Sequence, residues 1–301
     1  MTDNLRGIRA VLAASTAFVL NDAVVKLIQA ELPSGELIIL RGLLATAMLA
    51  LGVALMGAMR PIGILFRPLM LVRILAAAGA TTCVVLALRH LPLATVNTVL
   101  QATPLVVTAG AAMVYRERVG LSRWLAALTG FAGVLLIVKP GAGDFGTAAY
   151  ILLAALAFTT TRDLATRGLH QTIPSIFVAA ASTVAVMLSG FLVLPYDDGW
   201  VIASASAWGM MAISAACLFV ANTAMIVALR TGEIAVVAPF RYMPVPLSLG
   251  LGYWWWGDVP DAIAFAGIAL VVGAGLHTLQ RERRAHTAAR VPAAEGRSAA
   301  E

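Results

Sequence analysis

Two acidic residues lie inside long apolar runs, and each is followed four positions later by a basic residue. Asp22 precedes Lys26 in the first run, and Asp163 precedes Arg167 in a later one. A carboxylate within a membrane-spanning segment is costly and marks a functional site by default, so these residues are candidates for coupling or gating, for example as a proton relay. Residues four apart on a helix also form ion pairs, so mutual neutralisation is the alternative.

A second group of polar residues shares one face of a predicted helix, because its members are spaced by four, three and four positions. These residues are Asn97, Gln101, Pro104 and Thr108. The amide oxygen of Asn97 or Gln101 can accept a hydrogen bond from the ammonium group of a substrate. It can equally make an interhelical hydrogen bond worth about 0.6 kcal/mol. The same two interpretations apply to three further side chains: Thr82, Thr159 and Asn222.

An arginine stands shortly before two prolines in a later apolar run. Arg241 and Tyr242 precede Pro244 and Pro246, and prolines leave backbone carbonyls without their helical donors. Irregular backbone at this depth is tolerated only beside a cavity or a protein partner. Since a guanidinium matches both oxygens of a carboxylate, Arg241 and Tyr242 are substrate-binding candidates, and the two prolines, with Pro104, are candidate hinge or broken-helix positions. The structural alternative is pairing of Arg241 with backbone carbonyls or with an acid, either Asp163 or Glu233.

Other chemistries find little support. The chain has only two lysines, Lys26 and Lys139, and neither follows a glycine-rich phosphate loop, so ATP-driven transport by this chain alone is excluded. Cys83 and Cys217 have no His or carboxylate at ligand spacing, which favours packing roles. We therefore predict no metal, no cofactor, no catalytic residue and no nucleotide-binding subunit. The scattered basic residues also argue against nucleic-acid binding.

An intramembrane aspartyl protease is a remote alternative. Gly141-Ala142-Gly143-Asp144 and Tyr196-Asp197 match the two motifs of such enzymes. Those aspartates must face one another inside the membrane to share a proton. Here both motifs lie in predicted loops and in reversed order along the chain. We therefore predict a protein that is not an enzyme.

The elements that position these residues follow from composition. Of 301 residues, 60% are hydrophobic and 12% are charged, about half the charged share of a soluble domain. A crossing takes about 20 apolar residues, and ten candidate helices are found. They span 10 to 29, 36 to 57, 71 to 88, 93 to 114, 121 to 138, 147 to 166, 174 to 194, 203 to 229, 234 to 256 and 260 to 279. Residues 281 to 301 lack an apolar period, which predicts a disordered tail.

The distribution of Lys and Arg predicts the topology. With the N-terminus inside, sixteen of the 21 basic residues fall in inner segments and two, Arg89 and Lys139, in outer loops. Cytoplasmic loops carry such an excess. Both termini are therefore predicted to be cytoplasmic.

The two halves of the sequence repeat at an offset of 141 positions. Asp22 and Asp163, Lys26 and Arg167, Pro33 and Pro174, Arg89 and Arg230, and Glu117 and Asp258 are related in this way. Each unit has five crossings, an odd number, so the second copy enters the membrane from the opposite side. Inverted repeats of this kind are typical of secondary transporters.

The segment from Ala94 to Val134 resembles the closing part of an EamA domain. It contains Gln101-Ala102-Thr103-Pro104-Leu105, Tyr115-Arg116-Glu117-Arg118-Val119 and Trp124-Leu125-Ala126. The resemblance is to the drug/metabolite transporter superfamily. It implies ten helices around a central cavity lined by the first, third, fourth, sixth, eighth and ninth, with the fifth and tenth packed outside.

The resemblance is strongest to bacterial exporters of amino acids and related metabolites, including the aromatic-amino-acid type. It implies a multi-pass protein of the bacterial inner membrane that exports or exchanges such molecules by alternating access. A broader drug or metabolite carrier of the same fold is the alternative. The predicted units are 1–139, the inverted copy 140–280, and the tail. The predicted partners are a small-molecule substrate and membrane lipid, and a homo-oligomer stays open.

Overall fold

The computed structural model describes residues 2–116, 120–139, 146–169, 173–197, 199–231 and 238–298, which are helical apart from short turns. Nine segments within these ranges are long and apolar enough to cross a membrane. The protein is therefore an all-α integral membrane protein. The α-helices are α1 (Thr2–Ile28), α2 (Ser34–Leu55), α3 (Pro68–His90), α4 (Leu93–Leu100), α5 (Thr103–Val114), α6 (Leu121–Val138), α7 (Gly146–Gly168), α8 (Ser175–Val193), α9 (Ala205–Thr231), α10 (Pro244–Trp256) and α11 (Ala262–Ser298).

Two of the ten predicted crossings are broken. The fourth is divided into α4 and α5. The predicted ninth, 234 to 256, begins outside the described residues and continues as a 3-10 turn, Ala238–Tyr242, followed by α10. Each break lies beside proline, which lacks the N–H that an unbroken helix requires.

Helix packing follows the repeat. Five extensive contacts between the halves are α1 with α9, α3 with α7, α2 with α8, α6 with α11, and α4 with α10; α3 also packs on α8, a contact whose counterpart, α2 with α9, is much smaller. If every helix is replaced by its counterpart in the other half, the α1–α9 contact becomes the α3–α7 contact. The α2–α8, α6–α11 and α4–α10 contacts are then each mapped onto themselves. This is the pattern of two five-helix units related by a two-fold axis, and an odd number of crossings per unit makes the repeat inverted. The exact unit boundaries, 1–139 and 140–280, stay predictions.

Glycines bring paired helices into backbone contact. A Cβ on Gly133 of α6 would lie 2.7 Å from the carbonyl oxygen of Gly267 on α11. A Cβ on Gly190 of α8 would lie 2.7 Å from that of Gly35 on α2. Small residues at helix interfaces permit this approach within a membrane. By contrast, nothing lies within 4 Å of a Cβ on Gly273, so this glycine serves no close contact.

Apolar packing is heaviest at the end of the bundle where α1 ends and α2 begins. We call this the outer end, following the predicted topology. The largest core cluster lies here, at the C-terminal ends of α1, α3 and α6 and the N-terminal ends of α2, α4, α7 and α9. Ile28, Leu93 and Leu152 within it are fully buried. The clusters nearer the opposite end are much smaller.

The last helix is longer than predicted. α11 continues to Ser298, into the segment for which the composition predicts disorder. The residues there are rich in Ala, Arg and Glu, which are strong helix formers even without an apolar face. The composition of this segment therefore indicates that it has no apolar face to bury, and does not indicate that a helix is absent.

Candidate functional site

The break between α4 and α5 is built by two adjacent residues. Pro104 has no N–H to donate to the carbonyl of Leu100, four residues earlier. The Thr103 hydroxyl donates to that carbonyl instead, at 2.6 Å. The chain therefore bends at mid-crossing without losing a hydrogen bond.

The break before α10 has a different construction. Pro244 occupies the first helical position, where its missing N–H would be unpaired in any case. Pro246 falls in the same first turn. The N–H of Met243 bonds to the carbonyl of Phe240, at 3.1 Å, and closes the preceding 3-10 turn. The two prolines thus begin a helix rather than interrupt one.

The two breaks meet. The Gln101 side-chain amide donates to the backbone carbonyl of Arg241. A cavity of about 100 Å³ lies at this junction. It is lined by Gln101, Pro104, Leu105, Thr108, Arg241, Tyr242, Gly275, Thr278 and Leu279. We call it the junction pocket. It brings together four of the candidate site residues, Gln101, Pro104, Arg241 and Tyr242.

The walls of the junction pocket differ in burial. The Tyr242 side chain is buried, and its hydroxyl lies against Gly275, where a Cβ would overlap it. Arg241 is exposed. Among the described residues its guanidinium has no hydrogen-bond or ion-pair partner, so it can bind an anion. Asp163 is bonded elsewhere, and Glu233 lies outside the described residues.

The tenth crossing lines the junction pocket, although it was expected to pack outside the cavity. Gly275, Thr278 and Leu279 belong to α11, the tenth crossing, which the resemblance implied to be packed outside as support. α11 does pack on α6. However, the absence of a side chain at Gly275 opens space beside Tyr242, so the tenth crossing also contributes to the pocket.

The remaining substrate-binding candidates lie elsewhere. Asn97 is buried and donates to the carbonyl of Leu93 at 3.2 Å. The Thr82 hydroxyl lies 2.6 Å from that of Ser189 and links α3 to α8. Thr159 is half-buried on α7, and the Asn222 side chain lies outside the described residues. Asn97, Thr82 and Thr159 do not line the junction pocket.

A buried polar cluster surrounds Asp22. The Asn21 amide donates to the Asp22 carboxylate at 3.0 Å. Its carbonyl oxygen accepts from Arg41 at 3.1 Å and from Ser214 at 2.7 Å. The buried Asn97 side chain, on α4, lies beside Asp22. Residues of four crossings therefore surround Asn21 and Asp22.

The ion pairs predicted at a spacing of four are wrong. Lys26 lies 3.8 Å from Asp258, donates to the carbonyl of Leu91 at 2.6 Å and stands 5.2 Å from the Trp256 ring centre. Asp163 pairs with its neighbour Arg162 at 2.8 Å instead of Arg167. Helix spacing places such residues on one side, but tertiary neighbours decide which partner each one meets.

The outer end is closed by polar contacts between the two halves. Glu31 accepts from the Ser204 hydroxyl at 2.6 Å. Glu36, fully buried at the start of α2, accepts from the N–H of Val201 at 2.8 Å. Asp197 accepts from the N–H of Gly35 at 2.6 Å. We call these the outer-end contacts.

The outer-end contacts also bear on the protease alternative. Asp197 holds the start of α2 instead of lying free in solvent, and Asp144 lies outside the described residues. Among the described residues no group of three His, Cys, Asp or Glu could hold a metal ion.

Comparison with known proteins agrees with this architecture. The sequence profile of the EamA-like transporter family matches residues 5–139. The first half of the chain is an EamA-like transporter domain. The similarity extends beyond this half, because a relative named as an exporter matches 87% of the chain.

Relatives of this chain include proteins named as transporters of different molecules. The pseudopaline exporter CntI of Pseudomonas aeruginosa is 29% identical over 87% of this chain and 92% of its own length. A riboflavin transporter of Vibrio cholerae is 29% identical over 58% of each chain. An S-adenosylmethionine uptake transporter of Rickettsia prowazekii is 22% identical over 64% of this chain and 65% of its own.

A solved crystal structure shares the fold of the EamA-type transporter. It superposes with a TM-score of 0.57 at 20% identity, covering 91% of this chain and 96% of that one. Coverage of nearly the whole chain shows that both halves have the same arrangement in the two proteins.

Three members of the Asp22 cluster were not predicted from the sequence: Asn21, Arg41 and Ser214. Asn21 directly precedes Asp22 and interrupts the same apolar run, which is the one feature of the sequence that could have pointed to it.

Proposed function

We propose that this protein is a secondary transporter that exports or exchanges amino acids and related small metabolites across the bacterial inner membrane by alternating access. The observation that carries the proposal is the junction pocket, where two broken crossings meet and present a guanidinium that no described residue pairs with. Transporters of inverted-repeat architecture place substrates at discontinuous helices near the midplane.

The chemistry of the junction pocket suits a molecule with a carboxylate and an ammonium group. The Arg241 fork can hold both carboxylate oxygens. Gln101 uses its N–H on the Arg241 carbonyl, which leaves its own carbonyl oxygen to accept from an ammonium. At about 100 Å³ the pocket has room for the charged groups of an amino acid, and larger portions must extend from it.

A broader metabolite carrier is the second candidate. Relatives that transport riboflavin or S-adenosylmethionine support it, because those molecules are larger and chemically diverse. Relatives include both an exporter and uptake systems, so export is proposed from the resemblance to amino-acid exporters.

Alternating access is supported by the uneven packing of the two ends. The outer-end contacts and the largest core cluster close one side, while the apolar clusters of the described residues are small toward the other. We infer a conformation closed to the outside. The outer end is defined by the predicted topology, in which both termini are cytoplasmic, and 1–139 and 140–280 are the two moving units.

The test is transport into proteoliposomes of purified protein, using a panel of labelled amino acids, riboflavin and S-adenosylmethionine. We expect uptake of at least one amino acid, with a higher KM in Arg241→Lys and Arg241→Gln at equal protein content. Arg60→Gln is the matched control, because Arg60 is exposed and bonds only the carbonyl of Met59. If Arg241→Gln transports normally, Arg241 does not bind the substrate. If only the larger molecules are transported, the second candidate replaces the first.

A further inference from the structure

Two polar clusters of the bundle are related by the same 141-residue offset as the repeat. The first cluster is Asn21, Asp22, Arg41 and Ser214. The second cluster is Arg162, Asp163, Ser182 and Arg73. Each one joins three helices that correspond between the halves: α1, α2 and α9 in the first, and α7, α8 and α3 in the second.

Each cluster contains one carboxylate, one serine and an arginine, but arginine and serine have exchanged positions. Arg41 of the first cluster corresponds to Ser182 of the second. Ser214 of the first corresponds to Arg73, and Arg73 donates to Ser182. Asn21 corresponds to Arg162, so the second cluster has one arginine more. The inverted repeat has therefore kept a carboxylate, a serine and an arginine while exchanging the helices that carry the arginine and the serine.

The two carboxylates differ in their cation partners. Asp163 is paired directly with Arg162, at 2.8 Å. Among the described residues no Lys or Arg nitrogen lies within ion-pairing distance of Asp22. The Asn21 amide stands between Asp22 and Arg41, bonding one with its N–H and the other with its oxygen.

The surroundings of Asp22 contain no other described charge. Arg41 on α2 is the one charged group that acts on it. α4 contributes Asn97 and α9 contributes Ser214, both neutral, and Lys26 on the same helix is turned toward Asp258. Loss or gain of one proton at Asp22 therefore changes the net charge of the whole cluster.

The first cluster is also connected to the junction pocket. Asn97 contacts Asp22 and lies four residues before Gln101 on the same helix face. Gln101 in turn holds the carbonyl of Arg241. A change in the charge of Asp22 thus acts on the helix whose end forms the pocket.

We propose that Asp22 binds the coupling proton of the transport cycle, and that Asp163, its counterpart in the second half, forms a structural ion pair with Arg162 instead. This inference rests on the proposed transport function and names its coupling ion. The step is uptake of one proton from water: an O–H bond forms on the Asp22 carboxylate, which becomes a neutral carboxylic acid, and the reverse step releases the proton on the other side.

The first test needs no transport substrate. Infrared difference spectra of the protein in lipid vesicles, recorded between about pH 4 and pH 9, should contain a protonated-carboxyl band that titrates. Asp22→Asn should remove that band, while Asp163→Asn, the symmetry-matched control, should keep it. A band unchanged in Asp22→Asn, or lost only in Asp163→Asn, overturns the assignment. This result stands even if no molecule of the panel is transported.

The second test separates coupling from transport. With one proton per substrate, a pH difference of one unit supports at most about a tenfold accumulation. Wild-type vesicles with this pH difference should accumulate, up to this limit, the panel amino acid that the wild-type protein transports. In Asp22→Asn the concentrations of that amino acid inside and outside should become equal, while counterflow exchange is retained. Normal pH-driven accumulation in Asp22→Asn refutes the proposal, and loss of counterflow in properly folded Asp22→Asn assigns Asp22 to substrate binding instead.

Discussion

Replacing Gly275 with alanine displaces the Tyr242 side chain from the junction pocket. The new Cβ would overlap the Tyr242 hydroxyl and lie 2.8 Å from Cε1, against 3.4 Å or more in ordinary contact. The hydroxyl must therefore move by roughly 1.5 Å or more. A hydrogen bond of that hydroxyl to a substrate contributes about 0.5–1.5 kcal/mol, so we expect KM to rise roughly twofold to tenfold.

The assay is initial-rate transport in proteoliposomes, with the amount of folded protein measured by size-exclusion chromatography. Gly273→Ala is the control, because it lies on the same helix with nothing within 4 Å of the added methyl group. It should transport normally and gain about 0.5–1 kcal/mol of helix stability. An unchanged KM in Gly275→Ala, with normal folding, shows that Tyr242 does not contact the substrate.

Three further predictions concern stability and topology. Gly133→Ala should lower the free energy of unfolding in mixed micelles by about 1–3 kcal/mol relative to Gly273→Ala. Both variants gain the same helix propensity, but the methyl group added at position 133 meets the Gly267 carbonyl. Equal stability of the two variants would refute the close contact. The hydrogen bond from Lys139 holds the pKa of Asp261 below its usual value, so this pair stabilises the fold above that usual value and loses its effect as pH falls through the lowered pKa. Lys139→Gln should therefore melt below wild type at about pH 7, and the difference should disappear once the pH falls below that lowered pKa; a difference that persists in acid contradicts the assignment. Reporter fusions should place both termini in the cytoplasm, and a periplasmic C-terminus would falsify the inverted topology.

The crossings could be predicted from sequence because length and apolarity of a run decide membrane insertion without reference to neighbours. The broken crossings were marked by Pro104 and Pro244, since a missing N–H acts locally. The junction pocket was partly foreseen, because Gln101 and Arg241 each stand beside such a break. Gly275 was not assigned to it, since nothing in the sequence shows which glycine faces Tyr242.

Partners of buried charges could not be predicted from spacing. Asp22 and Lys26 stand one turn apart, yet one meets Asn21 and Asn97 while the other meets Asp258. The relation between the two clusters could not be predicted from the sequence either. Arg41 aligns with Ser182, and a comparison of similar residues at the 141-residue offset does not detect an unlike pair. Tertiary packing determines both outcomes.

The most direct test of alternating access is a reversible lock at the outer end. Glu31 and Ser204 meet there at 2.6 Å, and both can be replaced by cysteine in a chain whose Cys83 and Cys217 are changed to serine. Oxidation should join the turn after α1 to the segment before α9, and transport into proteoliposomes should stop and then return when the disulfide is reduced. Full transport with the disulfide completely formed would contradict a cycle in which the outer end must open.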